Sequence, residues 1–108
     1  MSYARTVSMR LKPNATADFN RTIENEVVPI LRQQKGFQDE LVLVKPNGTE
    51  AIGISVWNNK ESAEAYQRDG YPQVQKALSK VIEGTPQVQT YDVAHSTSQK
   101  TAKSGGGA

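Results

Sequence analysis

The side chains able to do chemistry in this chain are few, and most are aromatic. Trp57 is the only tryptophan, and the tyrosines include Tyr66 and Tyr71. An indole can wall a pocket and stack on a flat ring, or it can anchor a core if its N–H finds a partner. Tyr66 offers a phenol that can hydrogen-bond an oxygen anion, or a core ring with a wet hydroxyl. Tyr71, beside Pro72, is suited to capping a pocket or touching a partner. Gly53 stands alone in an apolar run, a signal for close approach by a ring or a second backbone. His95 is the only imidazole. Its unperturbed pKa near ~6.5 suits a general base, but it lies at the end of the last predicted strand, where a lone histidine is more often a bystander. Arg5 and Arg10 can bind an anionic group or simply pair with carboxylates.

The same inventory excludes several chemistries. Cysteine is absent, so there is no disulfide, iron–sulfur cluster, thiolate zinc or cysteine nucleophile. One histidine falls short of the about three protein ligands that a zinc or non-haem iron site takes, so no metal is expected. No Ser–His–acid set is readable. Gly48, Gly53 and Gly84 form no phosphate loop.

The elements that must position these groups follow from periodicity. Tyr3 to Leu11 alternates, with Val7, Met9 and Leu11 on one face and Thr6, Ser8 and Arg10 on the other, a half-buried strand. Phe19, Ile23, Val27, Ile30 and Leu31 mark an amphipathic helix from about Ala15 to Gln34. Pro29 predicts a kink near Asn25 to Pro29, and Gly36 ends the helix. A second strand spans Phe37 to Lys45, Pro46-Asn47-Gly48-Thr49 makes a hairpin turn, and a third strand spans Glu50 to Trp57. Asn58 and Glu61 have capping-box spacing for a second helix. Its apolar positions are Ala63, Tyr66, Val74, Leu78, Val81 and Ile82, with a bend at Gly70-Tyr71-Pro72 and an end at Gly84-Thr85-Pro86. A fourth strand spans Gln87 to His95. Strand, helix, strand, strand, helix, strand is the α+β ferredoxin-like βαββαβ order: a four-stranded antiparallel sheet with two helices on one face.

The 108 residues fit one domain, expected over 1–95, followed by a disordered polar tail over 96–108. The net charge of +2 resides in that tail, where Lys100 and Lys103 lie. The remainder is formally neutral, which argues against nucleic acid as a partner. The third strand, Ala51-Ile-Gly-Ile-Ser-Val-Trp57, also lacks the basic–glycine–aromatic pattern of RNA-stacking sheets. No stretch approaches the ~20 apolar residues of a membrane helix, and no apolar leader opens the chain, so a cytoplasmic protein that binds no membrane is expected.

The sheet calls for a partner. Leu41 and Leu43 point one way and Val42 and Val44 the other; Ile52, Ile54 and Val56 share a face opposite Trp57. Helices cover only one of these faces. Each large aliphatic side chain left exposed forgoes ~1.5–3 kcal/mol of burial, so a homodimer packed sheet to sheet is expected.

With this order established, the chain resembles the antibiotic biosynthesis monooxygenase family of the dimeric α/β-barrel superfamily. The stretches that carry the likeness are Arg5-Thr-Val-Ser-Met-Arg-Leu-Lys-Pro13, Glu26-Val-Val-Pro-Ile-Leu-Arg32, Gln34-Lys-Gly-Phe37, Gly53-Ile-Ser-Val-Trp57 with Glu61-Ser-Ala-Glu-Ala-Tyr66, Tyr71-Pro72 and Tyr91-Asp92-Val93. The resemblance implies a homodimeric barrel with a pocket between sheet and helices. It also implies a cofactor-independent monooxygenase acting on a small aromatic, quinol-type molecule. Trp57 and Tyr66 would then be the catalytic pair, and Trp57, Tyr66, Gly53 and Tyr71 the substrate contacts, with no cofactor. Relatives of that kind carry an asparagine on the third strand and a tyrosine early in the second helix, where this chain has Gly53 and Ala63. Haem degradation is disfavoured, because the position matching the iron-supporting histidine falls near Lys76. The alternative is a non-catalytic, ligand-binding dimer of the same fold.

Overall fold

The computed structural model describes residues 1–97. Four strands, β1 (Tyr3–Leu11), β2 (Phe37–Val44), β3 (Glu50–Trp57) and β4 (Ile82–Asp92), form one antiparallel sheet in the order β2-β3-β1-β4. The sheet is open, and the helices of the two crossovers lie on one face of it. This is the ferredoxin-like arrangement expected from the sequence. Most of the expected tail lies outside the described residues. Among the described residues no helix is long and apolar enough to cross a membrane.

The first crossover is one helical segment in three parts: α1 (Thr16–Thr22), a π-helical turn (Ile23–Val27) and α2 (Val28–Arg32). The kink expected from Pro29 takes the form of this wider turn. Proline removes a donor and crowds the carbonyl four residues back. An extra residue in the preceding turn relieves that crowding, and the Val28 N–H bonds the carbonyl of Ile23 instead. Gly36, at φ 83°, then reverses the chain.

In the second crossover, α3 (Lys60–Asp69) and α4 (Tyr71–Leu78) meet at Gly70. The cap is Asn59, not Asn58: its side chain accepts from the Ser62 N–H at 2.8 Å. Asn58 instead accepts from Gln38 Nε2 at 2.6 Å. The helix also stops earlier than expected. Val81 and Ile82 lie past it, and Ile82 opens β4. Gly84-Thr85-Pro86 is therefore an irregularity inside a strand rather than a helix end. Between the Ser8–Gln87 and Arg10–Glu83 pairs, β4 takes four steps to two on β1. β4 ends at Asp92, so the exposed His95 lies beyond it.

The core lies between sheet and helices. Val7, Met9, Leu11, Ala51 and Trp57 from the sheet meet Phe19, Val27, Leu31, Ala63, Tyr66, Tyr71, Val74 and Leu78 from the helical layer. The opposite face is open. On it Leu41 faces Ile54 and Leu43 faces Ile52 across β2 and β3, with Leu41, Leu43 and Ile52 exposed by 55%, 48% and 39%.

Candidate functional site

Strand pairing assembles one polar row on an otherwise apolar surface. Arg5 pairs with Ser55, and Ser55 pairs with Glu40, so β1, β3 and β2 bring a guanidinium, a hydroxyl and a carboxyl side by side. The adjoining row is Val7, Gly53 and Val42. A Cβ at Gly53 would lie 3.3 Å from Glu40 Oε2 and 3.9 Å from Met9 Cε, so the missing side chain is the space the carboxyl occupies. This is a close approach of the kind the lone strand glycine signalled, but by a carboxylate rather than a ring.

Arg5 is 2% exposed. Its guanidinium carbon lies 4.9 Å from the Tyr66 ring centroid and 4.6 Å from that of Tyr71, so the cation is held against two aromatic faces. Arg5 Nη2 also donates to Gln67 Oε1. Gly70 permits the arrangement, because a Cβ there would be 2.8 Å from Tyr66 Cδ1. Among the described residues Arg5 and Glu40 do not close into an ion pair.

The electrostatics follow from burial with incomplete pairing. Burial pushes the Glu40 carboxyl up to about 8; Arg5 pulls it back, and Asp39 adds to the rise. Burial raises the Tyr66 phenol well above its ordinary value, against the opposing pull of Arg5. Tyr71 is raised in the same way. Desolvation lowers Arg5, while the tyrosines and Glu40 act in the other direction.

These groups enclose a cavity between sheet and helices. Arg5, Glu40, Gly53, Ser55, Tyr66 and Tyr71 form its polar part, and Ile23, Val27, Leu31, Val74 and Leu78 close it from the helical side. It holds about 30 Å³ of space open to water-sized molecules, room for one or two waters. The Tyr71 hydroxyl is buried and has no hydrogen-bond partner among the described residues.

Gly53, Tyr66 and Tyr71 thus meet at one cavity. Trp57 lies behind it. The indole is fully buried, stacks on Tyr66 at 4.9 Å, meets Phe37 edge-on at 5.5 Å, and donates from Nε1 to Ser55 Oγ at 2.9 Å. Sequence reasoning missed Glu40 and undervalued Arg5. The signal for each was alternation: Arg5 is in step with Val7, Met9 and Leu11, and Glu40 with Val42 and Val44, each a charge on an apolar face.

No family model matches the chain, and no curated protein matches its sequence. Solved structures do match in fold. ActVA-Orf6 of Streptomyces coelicolor, a monooxygenase in complex with the ligand nanaomycin D, superposes with a TM-score of 0.75 at 15% identity, over 88% of this chain and 89% of that one. SnoaB of Streptomyces nogalater, a cofactor-independent oxygenase, gives 0.73 at 14% identity, over 91% and 98%. A protein of Bordetella bronchiseptica, provisionally named an antibiotic biosynthesis monooxygenase, gives 0.73 at 13%, over 87% and 98%. The chain has the fold of these proteins, the one its sequence resemblance implied.

Proposed function

We propose that this chain is a cofactor-independent monooxygenase that acts, as a homodimer, on a small aromatic quinol or anthrone-type molecule in the cavity between sheet and helices. The observation that carries this reading is the cavity itself, where a buried cation, a carboxyl and an unpartnered Tyr71 hydroxyl converge under aromatic rings. The fold shared with SnoaB and ActVA-Orf6 supports it. With an anthrone-type substrate a ring CH2 and dioxygen become a carbonyl and water, the substrate supplying all the electrons. The protein holds the substrate dry and stabilises its anion. Tyr66 and Tyr71 line the substrate, and Trp57 fixes the Tyr66 ring from behind. The dimer would cover Leu41, Leu43 and Ile52, whose exposure a single copy leaves unrelieved.

A ring system exceeds the present cavity, so the substrate must displace part of its wall. The hydrogen-bonded sheet is the stiff side. The wall that gives is the helical one, the π-helical turn with Ile23 and Val27 and the start of α4 at Tyr71. The tight cavity is also the observation that favours the rival reading, a dimer that binds a ligand without turnover. Oxygen uptake separates the two. Metal-free protein mixed with anthrone and a panel of quinols should consume dioxygen faster than buffer does. Uptake at the uncatalysed rate across the panel would reject the oxygenase.

A further inference from the structure

We propose that Glu40 is the general base of this cavity, taking a proton from a ring methylene that is conjugated through the ring with a carbonyl, while Arg5 and the Tyr71 hydroxyl hold the oxygen anion that results. The inference rests on the oxygenase reading for its substrate but not for its test. Three independent placements carry it. First, Glu40 is turned inward on β2, and Gly53 leaves the space its Oε2 fills at the cavity floor. Second, Arg5 lines the same cavity without closing onto Glu40, so its charge is available to a third group. Third, the Tyr71 hydroxyl is a buried donor with nothing to donate to, 3% exposed at the residue and part of the same wall. A carboxyl, a cation and an idle donor around one small space match what enolisation requires.

The step balances without any oxidant. The C–H bond breaks, its proton passes to a Glu40 oxygen, and its electron pair forms a ring C=C bond and is relayed through the conjugated ring, which becomes aromatic. The carbonyl π pair moves onto oxygen, giving an enolate beside Arg5 and the Tyr71 hydroxyl. The charged and titratable groups around Glu40 are Arg5 from β1 and Tyr66 from α3, with the exposed Asp39 beside it on its own strand; Tyr71 from α4 shares the cavity. The carboxylate form required for the step gains population as pH rises toward about 8.

The test is hydrogen–deuterium exchange at the anthrone methylene, followed by NMR in deuterated buffer under nitrogen, so that no oxygenation contributes. The unmodified chain should speed exchange at least about 100-fold over buffer, with a rate that rises with pH, is half-maximal near the Glu40 midpoint and levels above it. Glu40→Gln should lose at least about 100-fold of the acceleration, and Glu40→Asp should recover part of it. Far-ultraviolet circular dichroism verifies that the variants fold, and the pH profile of the unmodified chain needs no variant at all. Exchange no faster than buffer, a Glu40→Gln rate equal to the unmodified one, or a flat pH profile would each overturn the assignment. Glu40-dependent exchange without oxygen uptake keeps the base and rejects the oxygenase. Uptake that survives Glu40→Gln does the reverse.

Discussion

Glu40 and Arg5 stand on either side of Ser55, carboxyl on β2 and guanidinium on β1, both turned toward the helices and not joined in an ion pair. A closed buried pair would satisfy both charges and leave nothing to offer a ligand. Held one strand apart, each is desolvated without being neutralised by the other. Glu40 therefore titrates far above an ordinary carboxyl, and this has a consequence for stability.

The folded Glu40 carboxyl has its midpoint at about 8, against 4.5 for a carboxyl in water. Between these values the unfolded chain has lost the proton that the folded chain retains, so stability falls as pH rises through this window and levels above it. The effect is on the order of 2–4 kcal/mol, taken below the full shift because Glu40 is not wholly buried. Urea unfolding should show a lower midpoint at about pH 9 than at about pH 5, and Glu40→Gln should lose most of this difference. Equal pH dependence in the two proteins would place the cause elsewhere.

Tyr71→Phe removes a buried hydroxyl that has no partner. Deleting an unsatisfied polar group should leave stability unchanged or raise it by up to about 1 kcal/mol, while ligand affinity falls several-fold. A loss of stability above about 1 kcal/mol in urea titration would show that a buried water already satisfies the hydroxyl.

Trp57 should behave as a structural member that acts on Tyr66. Trp57→Phe removes the hydrogen bond to Ser55 Oγ and part of the stack, for a loss of about 1–3 kcal/mol; Trp57→Ala should lose about 3–5 kcal/mol. Thermal unfolding followed by circular dichroism measures both. A change below about 0.5 kcal/mol for Trp57→Ala would contradict the packing described.

The outer sheet face should decide the oligomeric state. Replacing Leu41 and Leu43 together by Asp sets two charges on a patch that is apolar across β2 and β3. Sedimentation velocity should find a dimer for the unmodified chain and a monomer for the variant, with little change in the helix content of each subunit. A monomer for the unmodified chain at micromolar concentration would remove the dimer from the proposal.

Strands with clean alternation were legible to the residue: β1 and β3 run Tyr3–Leu11 and Glu50–Trp57, as their patterns predict. The end of the second helix was not. Val81 and Ile82 are apolar and in helical step with Leu78, and a short apolar pair has no period of its own to reveal the change to strand. Gly84-Thr85-Pro86 read as a terminator because a two-residue excess in β4 is visible only once β1 supplies its register. The site divides along the same line. Gly53, Tyr66 and Tyr71 were readable from residue type and helix face. The Glu40–Ser55–Arg5 row depends on pairing between residues far apart in sequence, which no local pattern encodes. Trp57 shows the converse: its type suggested a pocket wall, and its burial places it behind the Tyr66 ring instead.

Between Ile23 and Val27 the helix carries one residue more than its pitch needs. Five residues at the wide pitch turn the chain through nearly the same angle as four at the regular one, so removing one of the five would restore a regular spiral and keep Leu31 on the chamber side. Within the regular helix that follows there is no such slack, and a deletion there would swing everything after it by about 100° around the axis. The surplus residue is thus absorbed where it arises, and length change is tolerated at this turn far better than in α2.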